Sequence, residues 1–315
     1  METRVLGRTG LRVSRVGLGL AALGRPGYIN LGHGEDLAGR TDVAVMDRNA
    51  HDVLDVAYER GVRYFDAARS YGKAEEFLAS WLVRRKLGPE EVTVGSKWGY
   101  TYTAGWHVEA DEHEVKELSA DNLRRQLAES RSILGEHLDL YQIHSATLES
   151  GVLEDDEVAA ELERLRREGL AVGLSVTGPR QAESIERAID GGRFDTVQAT
   201  WNLLERSAGP ALERAHATGI GVIVKEALAN GRLTVRGDVR RVQAEAERRG
   251  TTADALALAA CLAQPWADVV LSGAATVAQL ESNLAALDVT DVDGLDEIAE
   301  QRDAYWERRA ALPWN

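Results

Sequence analysis

The chain has 315 residues, enough for one large domain or two small ones, and an apolar content of 44% can fill a sizeable core. Acidic residues outnumber basic ones 51 to 37, a formal net charge of -14, which argues against a surface that coats nucleic acid. A single cysteine excludes an intrachain disulfide framework, and no run approaches the ~20 apolar residues of a membrane span.

The opening "METRVLGRTG" lacks the continuous apolar region of a signal peptide, so a cytoplasmic protein is expected. Residues 5–14 read as a small hairpin around Gly10, of a kind that can plug the floor of a barrel. Eight β-rich runs then succeed one another: 15–21, 63–68, 92–98, 138–145, 171–177, 196–201, 221–227 and 268–274. Most are nearly continuous in Val, Ile and Leu, as strands buried on both faces should be. Helical patterns separate them. Residues 119–135 open on the N-cap candidate Ser119 and close at Gly135, while 155–169 place acids first and bases last, in accord with the helix dipole. Residues 179–192 place Pro179 in a first turn, and 276–287 come after the eighth strand. Cys261 falls in an apolar helical run and reads as a small packed residue.

Strand then helix, repeated eight times, predicts an α/β fold, a (β/α)8 TIM barrel over residues 1–315 as one domain. A doubly wound sheet would favour a G-x-G-x-x-G turn after the first strand, and "GLGLAALG" (17–24) lacks that spacing. Three connections exceed what a plain loop requires: 25–48, 99–117 and 228–241. With the tail 301–315 they are candidates for binding elements.

In such a barrel, chemistry gathers at the C-terminal ends of the strands. The second strand ends on Asp66 with Tyr71 just beyond, the third on Lys97, and the fourth on His144. Each alone has a bland reading, as a cap, a packing residue, a snorkelling lysine or a satisfied core histidine. Four on three successive strand ends point to one site, because a buried lysine and aspartate are costly unless paired. The chemistry they suit is proton donation to a carbonyl oxygen. Asp66 would hold Lys97, Lys97 would lower the pKa of the Tyr71 phenol, and His144 would orient the oxygen. No side chain supplies hydride, so a nicotinamide or flavin must.

Taken in order, "YFDAARSYGKAE" (64–75), "VGSKWG" (94–99), "LDLYQIH" (138–144), "VGLSVTG" (172–178), "QATWNLLER" (198–206), "GIGVIVKEALANGRLTVR" (219–236) and "LSGAATVAQLESNL" (271–284) resemble the aldo-keto reductase superfamily over nearly the whole chain. The resemblance implies a barrel that binds NADPH across its top face, with NADH as the lesser possibility, and a catalytic Asp66, Tyr71, Lys97 and His144. It implies that Ser175 and Gln198 hold the carboxamide, although Val176 replaces the asparagine usual after that serine. Leu228, Gly231 and Arg236 match the segment over the pyrophosphate, and Gly273, Thr276, Gln279 and Asn283 match the adenosine end. Two positions depart from the pattern: Lys225 stands where an aromatic residue usually stacks under the nicotinamide, and Gln279 stands where many relatives carry arginine. Trp98 and Trp201, with the loop aromatics Tyr100, Tyr102 and Trp106, are expected to shape a substrate pocket for a small carbonyl compound or alcohol. Two other readings remain from the sequence: a cofactor-binding regulatory or scaffold subunit, and a non-redox enzyme that retains its cofactor.

Overall fold

The computed structural model describes residues 1–315, the side chain of Asp296 excepted. Strands β1 (Thr3–Val5) and β2 (Arg12–Ser14) form an antiparallel hairpin. The barrel strands begin with β3 (Val16–Gly19), β4 (Tyr64–Asp66) and β5 (Thr93–Trp98). A second hairpin, β6 (Tyr100–Tyr102) and β7 (Glu114–Lys116), fills the long third connection. The barrel continues through β8 (Leu138–Ala146), β9 (Ala171–Val176), β10 (Thr196–Thr200), β11 (Gly221–Lys225) and β12 (Val269–Ser272). All its neighbours run parallel, and β12 pairs with β3 to close it. The eight expected strands and the closed (β/α)8 barrel are therefore present.

The first connection carries a short α1 (His33–Leu37) before α2 (Val43–Glu59). Around the barrel come α3 (Ala74–Arg85), α4 (Ala120–Leu134), α5 (Asp156–Arg167), α6 (Gln181–Gly191) and α7 (Gly209–Ala217). The seventh connection carries α8 (Arg240–Arg248) and α9 (Ala253–Leu262), and α10 (Val277–Leu284) succeeds the last strand. A terminal α11 (Arg302–Ala310) lies in the tail. Ser119 caps α4 as expected, its hydroxyl accepting from the Asn122 amide at 3.2 Å. Pro179 does not enter α6, because Arg180 occupies the N-cap.

The hairpin closes the barrel floor by packing Leu6 and Val13 against Tyr64, Leu140, Ile223 and Val269. Backbone meets backbone there: a Cβ on Gly7 would lie 2.2 Å from the Gly221 amide, and Gly7 itself sits at φ 50. Only glycine fits that approach. The main core fills the layer between strands and helices, and a smaller cluster lies under α8, α9 and the buried Tyr305 and Trp306 of α11. With the floor sealed, the open end is the mouth. No helix is long and apolar enough to cross a membrane among the described residues.

Candidate active site

The strand-end residues converge at the mouth. Asp66 is the last residue of β4 and Lys97 lies one before the end of β5, on adjacent parallel strands. Both are buried, and the Lys97 ammonium donates to the Asp66 carboxylate and, at 3.1 Å, to the Ala67 carbonyl. The other Asp66 oxygen accepts from the Gln198 amide at 2.9 Å and the Tyr64 hydroxyl at 3.2 Å. A buried carboxylate with its ammonium and these further donors is fully compensated.

Tyr71 lies in the loop before α3 with the Lys97 ammonium over its ring, 5.0 Å from the centroid. The hydroxyl makes no hydrogen bond with the protein among the described residues. Burial first, and then the Asp66 carboxylate, push its pKa far above the ordinary tyrosine value; the Arg25 guanidinium only partly opposes them. Lys97 does not bring the phenol down into the acidic range expected, because burial and the Asp66 carboxylate paired with that ammonium outweigh it. The phenol is therefore held in its protonated form.

His144 owes its place to a kink. The pairing of β8 with β9 shifts register between Ile143 and Ala146, and Ser145 adopts φ 55. Such a bulge re-aims a side chain at a strand end. The imidazole meets Tyr71 edge-to-face at 5.5 Å and Tyr100 at 4.9 Å, with Nδ1 3.4 Å from the Ser70 hydroxyl. Burial, then the charges of Lys97, Arg25 and Lys225, hold its pKa well below the usual histidine value, so the ring is neutral.

Asp66, Tyr71 and His144 open onto a groove of about 700 Å³ running across the mouth. Ser175 and Gln198 line it beside them, then Lys225, Leu228 and Gly231. Arg236, Gly273, Thr276, Gln279 and Asn283 line its other end. The groove fits an extended dinucleotide. It offers the buried, unpartnered Asn230 Oδ1 and open space where a Cβ on Gly273 would be. The α10 N-terminus, capped by Thr276, presents backbone amides of the kind that receive phosphate.

A model of the aldo/keto reductase family matches residues 30–300. The chain belongs to the aldo/keto reductase family. It is 26% identical over 337 residues to L-galactose dehydrogenase of Arabidopsis thaliana, covering 100% of this chain and 97% of that protein. It is 27% identical over 338 residues to NADH-specific methylglyoxal reductase of Escherichia coli, covering 95% and 99%. Its fold matches that of aldo-keto reductase AKR11C1 from Bacillus halodurans (holo form) with a TM-score of 0.73 at 22% identity, covering 98% and 96%. This aldo-keto reductase is an NAD(P)H-dependent oxidoreductase of small carbonyl compounds or the corresponding alcohols.

Trp98 and Trp201 do not reach the groove of this reductase. Residues alternate faces along a strand, so with Lys97 turned inward Trp98 points out into the helix layer, wholly buried. Trp201 packs edge-to-face on Trp266 at 5.6 Å. Of the loop aromatics only Tyr100 lines the groove. Trp106 packs on Phe77 and donates to the Thr41 carbonyl, and Tyr102 is likewise outside the groove.

The residues standing in their place were not anticipated. Arg25, buried, donates to the Ser70 carbonyl at 3.0 Å and to Glu114 of β7 at 2.9 Å. Its guanidinium lies against the rings of Tyr28, Tyr71 and Trp314, at 5.1, 5.3 and 4.7 Å from their centroids. Such contacts fix the rings and hold a cation beside the Tyr71 phenol. At the far end Asp36 binds both Arg236, at 2.6 Å, and Gln279, at 2.6 Å. Lys225 donates to the Thr200 hydroxyl at 2.9 Å and lies 3.7 Å from Glu226, which Arg309 of α11 also clasps at 2.6 Å.

Proposed function

We propose that this reductase interconverts a carbonyl compound and its alcohol with Tyr71 as the proton donor and His144 as the second hydrogen-bond donor to the substrate oxygen. Bound in the groove, the reduced nicotinamide supplies hydride to the carbonyl carbon. Tyr71 enters protonated, which is the form the reduction needs. A simple alkoxide is a stronger base than a buried phenolate, so the proton transfers as negative charge builds on the substrate oxygen. Lys97, above the ring, stabilises the phenolate left behind, while Asp66 holds Lys97 in place. Neutral His144 donates without adding a charge. Ser175 and Gln198 would hold the carboxamide, and Leu228, Gly231, Gly273, Thr276 and Asn283 the remainder of the dinucleotide.

NADP-dependence is the finer reading, and Arg236 supports it as the cation at the far end of the groove. The observation that carries the function is the open phenol beside a neutral imidazole and a buried ion pair, all on one dinucleotide-sized groove. The aromatic and charged walls of that groove, Arg25, Tyr28, Glu114 and Trp314, suit a hydroxylated substrate.

The test is Tyr71→Phe. With a panel of aldehydes and ketones, its reduction rate should fall about 100- to 10,000-fold, while NADPH and NADH bind as tightly as to wild type. Reduction at the wild-type rate would remove Tyr71 from the role. Tight dinucleotide binding by the wild type without turnover on a broad panel would favour the regulatory-subunit reading instead.

A further inference from the structure

Around Tyr71 and His144 the groove holds three groups of charges, and two of them cancel. Lys97 pairs with Asp66, and Arg25 with Glu114. In the third, two cations share one carboxylate. Glu226 takes two nitrogens of Arg309 on one side, at 2.6 and 3.2 Å, and faces the Lys225 ammonium at 3.7 Å on the other. The Glu226 carboxylate also accepts from the Thr200 hydroxyl at 3.1 Å, and that hydroxyl accepts from Lys225. One positive charge is left over, on partly buried groups that line the groove. Solvent screens such a charge far less than one on an open surface.

The ring that exchanges hydride has to lie within this charge's reach. It must come within ~3–3.5 Å of a carbon whose oxygen sits at Tyr71 and His144. That space is walled by Ser175, Gln198 and Lys225, and the Lys225 charge is felt at both His144 and Lys97. The ring is cationic when oxidised and neutral when reduced. An unbalanced cation therefore meets the two redox states unequally.

We propose that Lys225 makes the groove discriminate between the redox states of its cofactor, binding the neutral reduced ring more tightly than the cationic oxidised one. This rests on the dinucleotide reading of the groove and adds a device of this chain to it. The difference in affinity is a difference in the potential of the bound couple, since the two are linked in one thermodynamic cycle. Each tenfold preference for the reduced form raises that potential by about 30 mV and favours the alcohol-oxidising direction on the enzyme. Cofactor release works in the opposite sense and favours turnover as a reductase. After a reduction the oxidised cofactor is repelled and leaves readily; after an oxidation the reduced cofactor is retained.

Lys225 can also be titrated in place. Burial lowers its pKa to about 8, against the pull of Glu226 and with the push of Arg309 and Lys97. The other groups facing it do not change charge between pH 7 and 9. Glu226 is held at about 2, with Arg309 held above and His144 below their ordinary values. The Tyr71 and Tyr28 phenols are held above theirs. Lys116, the other nearby lysine, donates to the Ser145 carbonyl at 2.8 Å and has its pKa lowered by burial as well, so the Lys225→Met variant, which keeps Lys116, separates the two.

The experiment is a set of equilibrium titrations of the full chain, monitored by protein tryptophan fluorescence, with NADP+, NADPH, NAD+ and NADH. Wild type should bind each reduced form at least tenfold more tightly than its oxidised partner at pH 7. Lys225→Met should narrow that ratio about tenfold, mostly by tightening the oxidised form, and Lys225→Arg, which keeps the charge, should preserve it. In the wild type alone, affinity for the oxidised form should rise as the pH passes 8, with no such rise in Lys225→Met. A ratio that stays within twofold in Lys225→Met and is flat from pH 7 to 9 in the wild type overturns the proposal. So does an equal narrowing of the ratio in both variants. Failure of the wild type to bind any of the four would overturn the functional reading itself, a separate and recognisable result.

Discussion

Glu226 shows how much one side chain at the mouth carries. It is a non-glycine residue at φ 53, its backbone carbonyl accepts from Asn202 at 2.9 Å, and its carboxylate joins Lys225, Thr200 and Arg309. The Arg309 and Lys225 charges outweigh burial and hold its pKa at about 2, below the ordinary 4.5. A depressed carboxylate pKa contributes stability that is complete above pH 4.5 and is lost as the pH falls toward 2. For Glu226 the amount is on the order of 3 kcal/mol. Urea midpoints between pH 6 and 3 should fall more steeply for the wild type than for Glu226→Gln. Equal slopes would mean that this cluster does not drive acid unfolding. At this scale the sequence was legible where chemistry was out of place. Asp, Lys and His at the ends of buried strands are costly enough to announce a site. Arg25 and Glu114 gave no such signal, since they meet across 89 positions from two loops. The orientation of Trp98 was hidden because it depends on which neighbour of the strand turns inward.

Among the elements, the first and seventh connections meet over the far end of the groove. The Leu31 amide donates to the Asn230 carbonyl at 3.0 Å, and a Cβ on Gly231, at φ 93, would come within 3.1 Å of Leu31. Asp36 completes the join by binding Arg236 and Gln279. A carboxylate so placed competes with any phosphate for the same guanidinium. Asp36→Asn should therefore tighten NADPH about tenfold and change NADH by less than threefold, as read by binding titration. An unchanged NADPH-to-NADH ratio would show that Arg236 does not receive the 2′-phosphate. Strand–helix alternation was readable because buried strands and amphipathic helices have different periods. The loop-to-loop join was not, because it relies on contacts about 200 positions apart or more, such as Gln279 with Asp36 across 243.

For the molecule as a whole, the floor carries stability and the mouth carries function. Gly7→Ala should test the first half of that division. It places a methyl group against the Gly221 backbone in a left-handed conformation, so it should lower unfolding free energy by more than about 2 kcal/mol in denaturant titrations. Dinucleotide affinity, measured under conditions where the variant is folded, should not move. The mouth, in turn, recruits the end of the chain. Trp314 covers Arg25, and the Asn315 side chain donates to the Asn30 carbonyl at 2.9 Å and accepts from the Gly34 amide at 3.2 Å. The barrel's strand count could be read from periodicity. The tail 301–315 reads as a candidate binding element, but its docking partners in the first connection are not legible, since they lie more than 280 positions away.

The bend at Ser145 sets activity against robustness. A serine in left-handed backbone is tolerated at a cost that glycine would not incur, and the neighbouring ring keeps its aim through that bend. Ser145→Gly should therefore raise the melting point, by the equivalent of about 1 kcal/mol, and slow turnover as the imidazole loses its fixed heading. Stability alone would favour glycine at this position, and the serine trades some of it for a fixed histidine heading.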